Sequence, residues 1–441
     1  ANGAAAGIIL SASHNPAGPH GDFGIKVNLA NGGPSSDSVN CRIAERSAAI
    51  ERYYIVTSED VSLSALGTFA LGRMRVDVVH AVGAYADLME SLFDFDAIKR
   101  LFSSGFRIVF DAMHAVTGPY AREILERRLG APAGTVLNGE PLEDFGGGHP
   151  DPNLTYARPL VDMLAEPQGA DFAAASDGDG DRNMILGRGV FVTPSDSLAI
   201  IAANAEMLRC FPKGLVGVAR SMPTSRAVDA VAQELGIPVF ETPTGWKYFA
   251  NLLDAGLVNL CGEESFGTGA SHVREKDGLW AVLAWLAILA ARRESVIEIA
   301  RSHWAKYGRI HYARHDYEDL ALPAAAAVMD EVRAALATLP GRQFAGSAVT
   351  LADDFSYMDP VDGSIASAQG LRIVCGDGTR AVFRLSGTGT TGATLRVYLE
   401  SPERRARPQT GRGPLLPLEA AVQQVGRIRE LTGRTEPTVV T

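Results

Sequence analysis

The sequence predicts a multi-domain α/β protein whose sheets are mainly parallel and whose polar loops share one cleft. The first ground is length and content. The chain has 441 residues, 46% hydrophobic and 21% charged, which is enough apolar material for several cores and too much chain for one. The second is a recurring unit: a short apolar run, then a loop rich in Gly, Ser, Thr and Asp, and often an amphipathic helix. The third is the placing of helices such as PYAREILERRLG and SRAVDAVAQELG between strands, as α/β units require.

In chain order, GIIL precedes SASHNP, DFAAA precedes SDGDGDR, and LVGVA precedes RSMPTS. PVFE then leads to TPTG, LVNLC to GEESFGTG and VFRL to SGTGTTG. Ligands of such sheets bind outside the carboxyl ends of strands, so these loops point to a shared cleft. In the first section, strands are expected at 7–10 and 24–28, and a helix over 37–54 lines up Val39, Ile43, Ile50 and Tyr54. The apolar run 279–291 is too short to span a membrane and reads as a buried helix. Residues 323–339, between Pro323 and Pro340-Gly341, carry matching helix start and stop signals. Divisions before Val76, near 192–194 and after Tyr307 give sections 1–75, 76–192, 193–307 and 308–441, the first three alike in pattern and the last richer in β character.

A net charge of −10 argues against nonspecific binding to nucleic acid or anionic membranes. The four widely spaced cysteines, Cys41, Cys210, Cys261 and Cys375, form no C-x-x-C pair and read as buried, reduced thiols of a cytoplasmic protein. The first ten residues lack the basic region of a signal peptide. A monomer is expected.

SDGDGDR is the strongest local motif. Asp177, Asp179 and Asp181 repel one another unless a divalent cation sits among them, and the glycines let the backbone wrap around it. Hard oxygen donors favour magnesium. An EF-hand is excluded, because its sixth and twelfth positions are occupied by Arg182 and Arg188. A solvated acidic turn is the competing reading.

SASHNP lacks the G-x-S-x-G of a hydrolase elbow, and AGPHGDFGIKVN lacks P-loop spacing; alone it weighs equally as a plain polar turn. SGTGTTG places Gly387, Gly389 and Gly392 as G-x-G-x-x-G, but ATLRVYLE after it reads as a strand rather than a Rossmann helix. A phosphate cradle flanked by Arg384 and Arg396 fits better, with a flexible hairpin as the alternative. GEESFGTG suits sugar hydroxyls or, equally, a helix N-cap, and SHVREKDG brings Arg274 and Lys276 near it. His311 and His315 read as exposed or structural, not as metal ligands.

Taken in this order, SASHNP, DGDGDR, TPTG, GEESFGTG, REKDG and RLSGTG resemble the α-D-phosphohexomutase superfamily, specifically its eukaryotic-type phosphoglucomutases, from Gly7 to the terminal GRTEPTVVT. The resemblance implies three related α/β mixed-sheet domains, the first incomplete, plus a C-terminal α+β domain around one central cleft. Section 1–75 would carry the phosphoserine loop, 76–192 the metal, 193–307 the sugar and 308–441 the distal phosphate.

It implies that glucose 1-phosphate and glucose 6-phosphate interconvert through phospho-Ser13, with glucose 1,6-bisphosphate as activator and intermediate. Magnesium would be held by Ser13, Asp177, Asp179 and Asp181. Arg384, Ser386, Gly387, Thr388, Gly389 and Arg396 would bind the distal phosphate. Thr244, Gly245, Glu263 and Ser265 would hold the sugar. His14, Lys26 and Lys276 are the proton-transfer candidates, and Arg182 would stabilise charge on the moving phosphoryl group. The same resemblance leaves a noncatalytic adhesion-type relative and a phosphomannomutase or hexose-bisphosphate synthase as alternatives. A serine-phosphoenzyme phosphatase would want zinc and a histidine cluster.

Two departures stand out. Family members carry a substantial segment before the S-H-N-P loop, whereas twelve residues precede Ser13 here, so a truncated and unstable first domain is expected. Ser11 stands where the family commonly has threonine.

Overall fold

The structure is a computed structural model describing residues 3–15, 17–18, 21–166, 169–389, 392–403 and 413–441, with their side chains except at 37 and 387–389. In the first section, strands Ala6–Leu10 and Ile25–Leu29 pair antiparallel with Ile8 opposite Val27. The helix Asp37–Ala48 stops short of the expected 54. Beyond it, the aromatic and β-branched run Tyr53 to Val56 is a poor helix former and finds nothing to pack on, Tyr54 being 91% exposed. The hairpin Gly67–Leu71 with Met74–Val78 straddles the expected division before Val76. That division therefore cuts a strand, and the next helix starts only at Ala81.

The second section is a five-stranded sheet. Val136–Leu137, Ile108–Asp111 and Phe172–Ala175 run parallel, and Met184–Gly187 and Val190–Val192 return antiparallel. In the third, Val239–Thr242, Val218–Ser221 and Leu260–Gly262 are parallel and Thr268–Ala270 is antiparallel. Both sheets are thus mixed, a parallel set with antiparallel strands added at one edge, because a short loop can return only antiparallel whereas a parallel neighbour needs a crossover. GEESFGTG is such a loop, joining Leu260–Gly262 to Thr268–Ala270, so it is not a helix N-cap.

Helix Gly278–Arg292 is buried from Gly278 to Leu289, as its apolar surface on every side demands. Trp280 packs against Phe93 of the second section with ring centroids 6.0 Å apart, and one continuous core runs through both sections. This shared core fixes the metal-loop sheet against the sugar-loop sheet.

The last section is a seven-stranded antiparallel sheet. Strands Arg380–Gly389 and Gly392–Pro402 alternate their side chains between two faces. Phe383, Leu395 and Val397 point to a core under helices Leu322–Ala335 and Leu416–Gly426. The opposite face is charged and docks on the third section. There the buried Arg380 donates to the carbonyls of Met222 and Thr224, each at 2.7 Å, and Arg226 meets Glu400 at 3.1 Å.

Of the two readings of the histidines the structure selects the structural one, and the expectation that all four cysteines are buried needs correction. His311 and His315 are buried on strand Ile310–Leu320, each with a glutamate 3.7 Å away (Glu403 and Glu419), so they are structural and not exposed. Of the cysteines, all free, Cys261 and Cys375 are buried, but Cys41 is exposed on its uncovered helix and Cys210 is half-buried. Among the described residues, no helix is long and apolar enough to cross a membrane.

Candidate active site

Ser13 sits at the tip of the loop after Ala6–Leu10 with φ +57°, a left-handed conformation that costs a non-glycine residue about 1–2 kcal/mol. The turn is held locally. Ser13 N donates to Ser11 Oγ at 2.8 Å, and Asn15 N to the Ala12 carbonyl at 3.1 Å. Ser13 Oγ thereby donates to Asp177 Oδ2 at 3.2 Å and lies 3.3 Å from His14 Nδ1.

The buried strand Phe172–Ala175 delivers the aspartates. Oxygens of Asp177, Asp179 and Asp181 all lie within 4.8 Å of one another. Gly178 has no room for a Cβ, which would collide with the Ser13 carbonyl, so serine loop and aspartate loop are in backbone contact. Lys26 Nζ is 2.6 Å from Asp179, and Lys276 Nζ is 2.9 Å from Asp181. Burial, then the charges of Asp181 and Asp179, push the Asp177 carboxyl up to about 8. Burial also acts against ionised Asp179, but Lys26 and the Ser11 hydroxyl outweigh it and hold that group at about 2. Asp179 Oδ1 and Asp181 Oδ1 are buried without hydrogen-bond partners. Crowded hard oxygens, two of them unsatisfied and one group forced to keep a proton, fit a divalent cation of the magnesium type.

Arg182 closes the loop. Its backbone N–H donates to Asp177 Oδ1 at 3.0 Å, and its guanidinium lies 3.2 Å from Asp151 and 3.5 Å from His14 Nε2. Burial, then the Arg182 charge, lower the His14 imidazole to about 3, which keeps it neutral. Lys26 and Lys276 are held protonated against the penalty of burial, chiefly by Asp179 and Asp181 respectively.

On the sugar side, Gly245 adopts φ +128° and its N–H donates to Glu263 Oε1 at 3.1 Å. Thr244 Oγ1 is buried without a partner, and Ser265 is half-buried. Asn183 N donates to the Phe266 carbonyl at 2.9 Å, and Arg182 bridges to Gly267, which pins the sugar loop to the metal loop. Lys276 passes over Gly267, where a Cβ would strike its side chain.

Arg384 and Arg396 lie on the charged face of the last sheet. Arg384 Nε donates to the Gln369 carbonyl at 3.2 Å, and Arg396 Nε is 3.6 Å from Asp316. Asp316 is also 3.1 Å from Arg314, which reaches Glu264 at 3.1 Å. Ser386 is half-buried opposite Thr394. Gly387, Thr388 and Gly389 continue the strand, with Thr388 opposite Ala393; their side chains, and residues 390–391, lie outside the described residues. The structure thus joins Ser13, His14, Lys26, the aspartates, Arg182, Lys276, Gly245 and Glu263 in one network. Arg396 acts on His14 electrostatically, and Arg384 stands opposite Arg396 on the neighbouring strand, two residues before Ser386.

Sequence reasoning missed Asp151, the partner of Arg182. It sits in GGGHPDPN, a Gly/Pro-rich loop like those that were recognised, but the strand before it has only two residues. The hydroxyl of Ser11, the group it shares with the family's threonine, donates to Asp179 at 2.8 Å.

Fold and site together define a multi-domain α/β protein with a serine and three aspartates at its centre and cations on the facing sheet. The chain belongs to the phosphoglucomutase/phosphomannomutase family. The family's α/β/α domain models match residues 1–54 (domain I), 83–189 (domain II) and 194–307 (domain III), and the phosphoglucomutase-1 C-terminal domain matches 309–438. A phosphoglucomutase of Rhizobium radiobacter is 55% identical over 99% of this chain and 81% of its own. Human phosphoglucomutase-1 is 51% identical, over 99% and 80%. The open form of the Paramecium exocytosis-sensitive phosphoprotein parafusin, a phosphoglucomutase, is 47% identical with a TM-score of 0.90, over 99% of this chain and 80% of that one.

Proposed function

We propose that this protein is a phosphoglucomutase that interconverts glucose 1-phosphate and glucose 6-phosphate, with Ser13 as phosphoryl carrier. The observation that carries the reading is Ser13 Oγ 3.2 Å from Asp177 Oδ2 and 3.3 Å from His14 Nδ1. Close relatives bearing the same activity in their names support it, and they do not favour the adhesion-type or mannose alternatives.

The free hydroxyl of the sugar phosphate bonds to phosphorus as the bond from phosphorus to Ser13 Oγ breaks, and the hydroxyl proton passes to a base. The glucose 1,6-bisphosphate so formed turns over. Ser13 Oγ then attacks its other phosphate, giving up its own proton, and the freed sugar oxygen takes one. His14 is placed to exchange the Ser13 proton. Lys276, protonated beside Asp181, is placed to give a proton to the sugar side or to neutralise charge there. Arg182 stabilises the phosphoryl group in transit.

Ser13, Asp177, Asp179 and Asp181 would hold magnesium, which when bound supplies positive charge against the phosphoryl oxygens. Thr244, Gly245, Glu263 and Ser265 hold the sugar in either orientation. Arg384, Ser386, Gly387, Thr388, Gly389 and Arg396 grip whichever phosphate is distal. Four free thiols support a reducing, cytoplasmic setting.

The test is intact mass before and after incubation with glucose 1,6-bisphosphate. One phosphoryl adduct mapping to Ser13, absent in Ser13→Ala together with mutase turnover, is expected. Turnover retained by Ser13→Ala overturns the carrier role.

A further inference from the structure

Asp277 is anchored far beyond what a helix cap requires. It caps Gly278–Arg292 by accepting from Trp280 N at 2.9 Å, and a cap uses one oxygen. Here donors from three elements converge on the carboxylate. The capping oxygen also accepts from the Tyr85 hydroxyl at 2.6 Å, and the second oxygen meets His272 Nε2 at 3.0 Å. Tyr85 belongs to helix Ala81–Leu92 of the second section. The His272 ring stacks on Trp280, with centroids 5.3 Å apart and planes 17° apart.

The backbone beside it is fixed as well. Asp277 N donates to the Thr268 carbonyl at 2.9 Å and Gly278 N to the Gly180 carbonyl at 3.1 Å. Gly278 abuts the Arg182 carbonyl too closely for any side chain. The peptide segment that carries Lys276 is therefore stitched to the sugar hairpin on one side and to the aspartate loop on the other.

We propose that Tyr85, His272 and Asp277 are positioning residues for Lys276. By occupying both oxygens of Asp277, they set the direction in which the lysine side chain leaves the backbone. That direction fixes where its ammonium group stands beside Asp181. Because Tyr85 comes from the metal-binding section, the placement of Lys276 depends on how that section docks on the sugar-binding one. Tight anchoring matters because a displacement of a fraction of an ångström at a transfer site costs large factors in rate. The inference rests on the reading of Lys276 as part of the transfer site.

Tyr85→Phe removes one hydroxyl and leaves the helix packing intact. It should lower kcat about tenfold while KM for glucose 1-phosphate stays within about twofold. Asp277→Asn, which keeps a capping oxygen, should do the same without loss of helix. In single-turnover phosphorylation of Ser13 by glucose 1,6-bisphosphate, Tyr85→Phe should be silent once Lys276→Met is present. If Lys276→Met is slow but Tyr85→Phe alone keeps full kcat, or slows Lys276→Met further by the same factor, the positioning role is overturned and the reading of Lys276 stands. Full turnover by Lys276→Met would remove that reading, and the positioning role with it.

Discussion

Arg384 and Arg396 stand directly opposite each other on neighbouring antiparallel strands of the last sheet. Like charges in register repel, and Asp316, 3.6 Å from Arg396, answers only part of that charge. A phosphate dianion between the two arginines would relieve the repulsion. Arg396→Ala should raise KM for glucose 1-phosphate and glucose 6-phosphate alike, by about 10- to 100-fold. Steady-state kinetics in both directions check this, and a loss confined to one substrate would place the distal phosphate elsewhere.

Gly178 is the contact point between the aspartate loop and the serine loop. A methyl group there runs into the Ser13 carbonyl and the Phe145 ring. Gly178→Ala should push Ser13 away from Asp177 and lower turnover about 100-fold. The buried strand behind it is undisturbed, so the melting temperature should hardly move. Unchanged kinetics would show that the serine loop yields freely.

Asp179 is the aspartate bound to both Lys26 and Ser11. Asp179→Asn replaces an anionic oxygen donor by a neutral one. Calorimetric titration of chelator-stripped protein with magnesium should show affinity weakened by at least about tenfold, with turnover falling in step. Equal affinity would move the metal off this loop.

His303 makes the protein acid-sensitive away from the site. It is buried in helix Val296–Tyr307, and its Nδ1 lacks a partner. Burial, then Arg292 and Lys306, lower its imidazole from 6.5 to about 4. In that window the unfolded chain binds the proton more readily than the folded one, so stability is full above about pH 6.5 and falls as pH drops towards 4. The loss approaches about 3 kcal/mol at most. His303→Phe keeps a ring against Tyr307, whose centroid is 4.8 Å away, and should flatten the curve. Urea midpoints between about pH 7 and 4.5 decide it, and parallel curves for the two proteins would clear His303.

The loops were legible because their chemistry is local. Asp177, Asp179 and Asp181 occupy alternate residues after a run of buried alanines, and that spacing favours a cation over a solvated acidic turn. Helix Gly278–Arg292 was legible for the same reason, being apolar all round. The end of the helix at Ala48 was not, because propensity alone does not stop a chain; the absence of a packing partner for Ile50 and Tyr54 does. Nor was the burial of His311 and His315, which depends on what covers their strand.

By itself the sequence determined the α/β class, the strand-loop order, and which residue types stand at each strand end, since these follow from periodicity and short-range spacing. Tertiary structure decided the partners. Asp151 meets Arg182 across 31 positions of chain, Lys26 meets Asp179 across 153 and Ser13 meets Asp177 across 164. Such pairs are fixed by the packing of whole sheets, through the core shared by Phe93 and Trp280 and through glycines such as Gly178 that admit a second backbone. No local pattern in the chain encodes those distances, because the same motifs would read alike in any arrangement of the sheets.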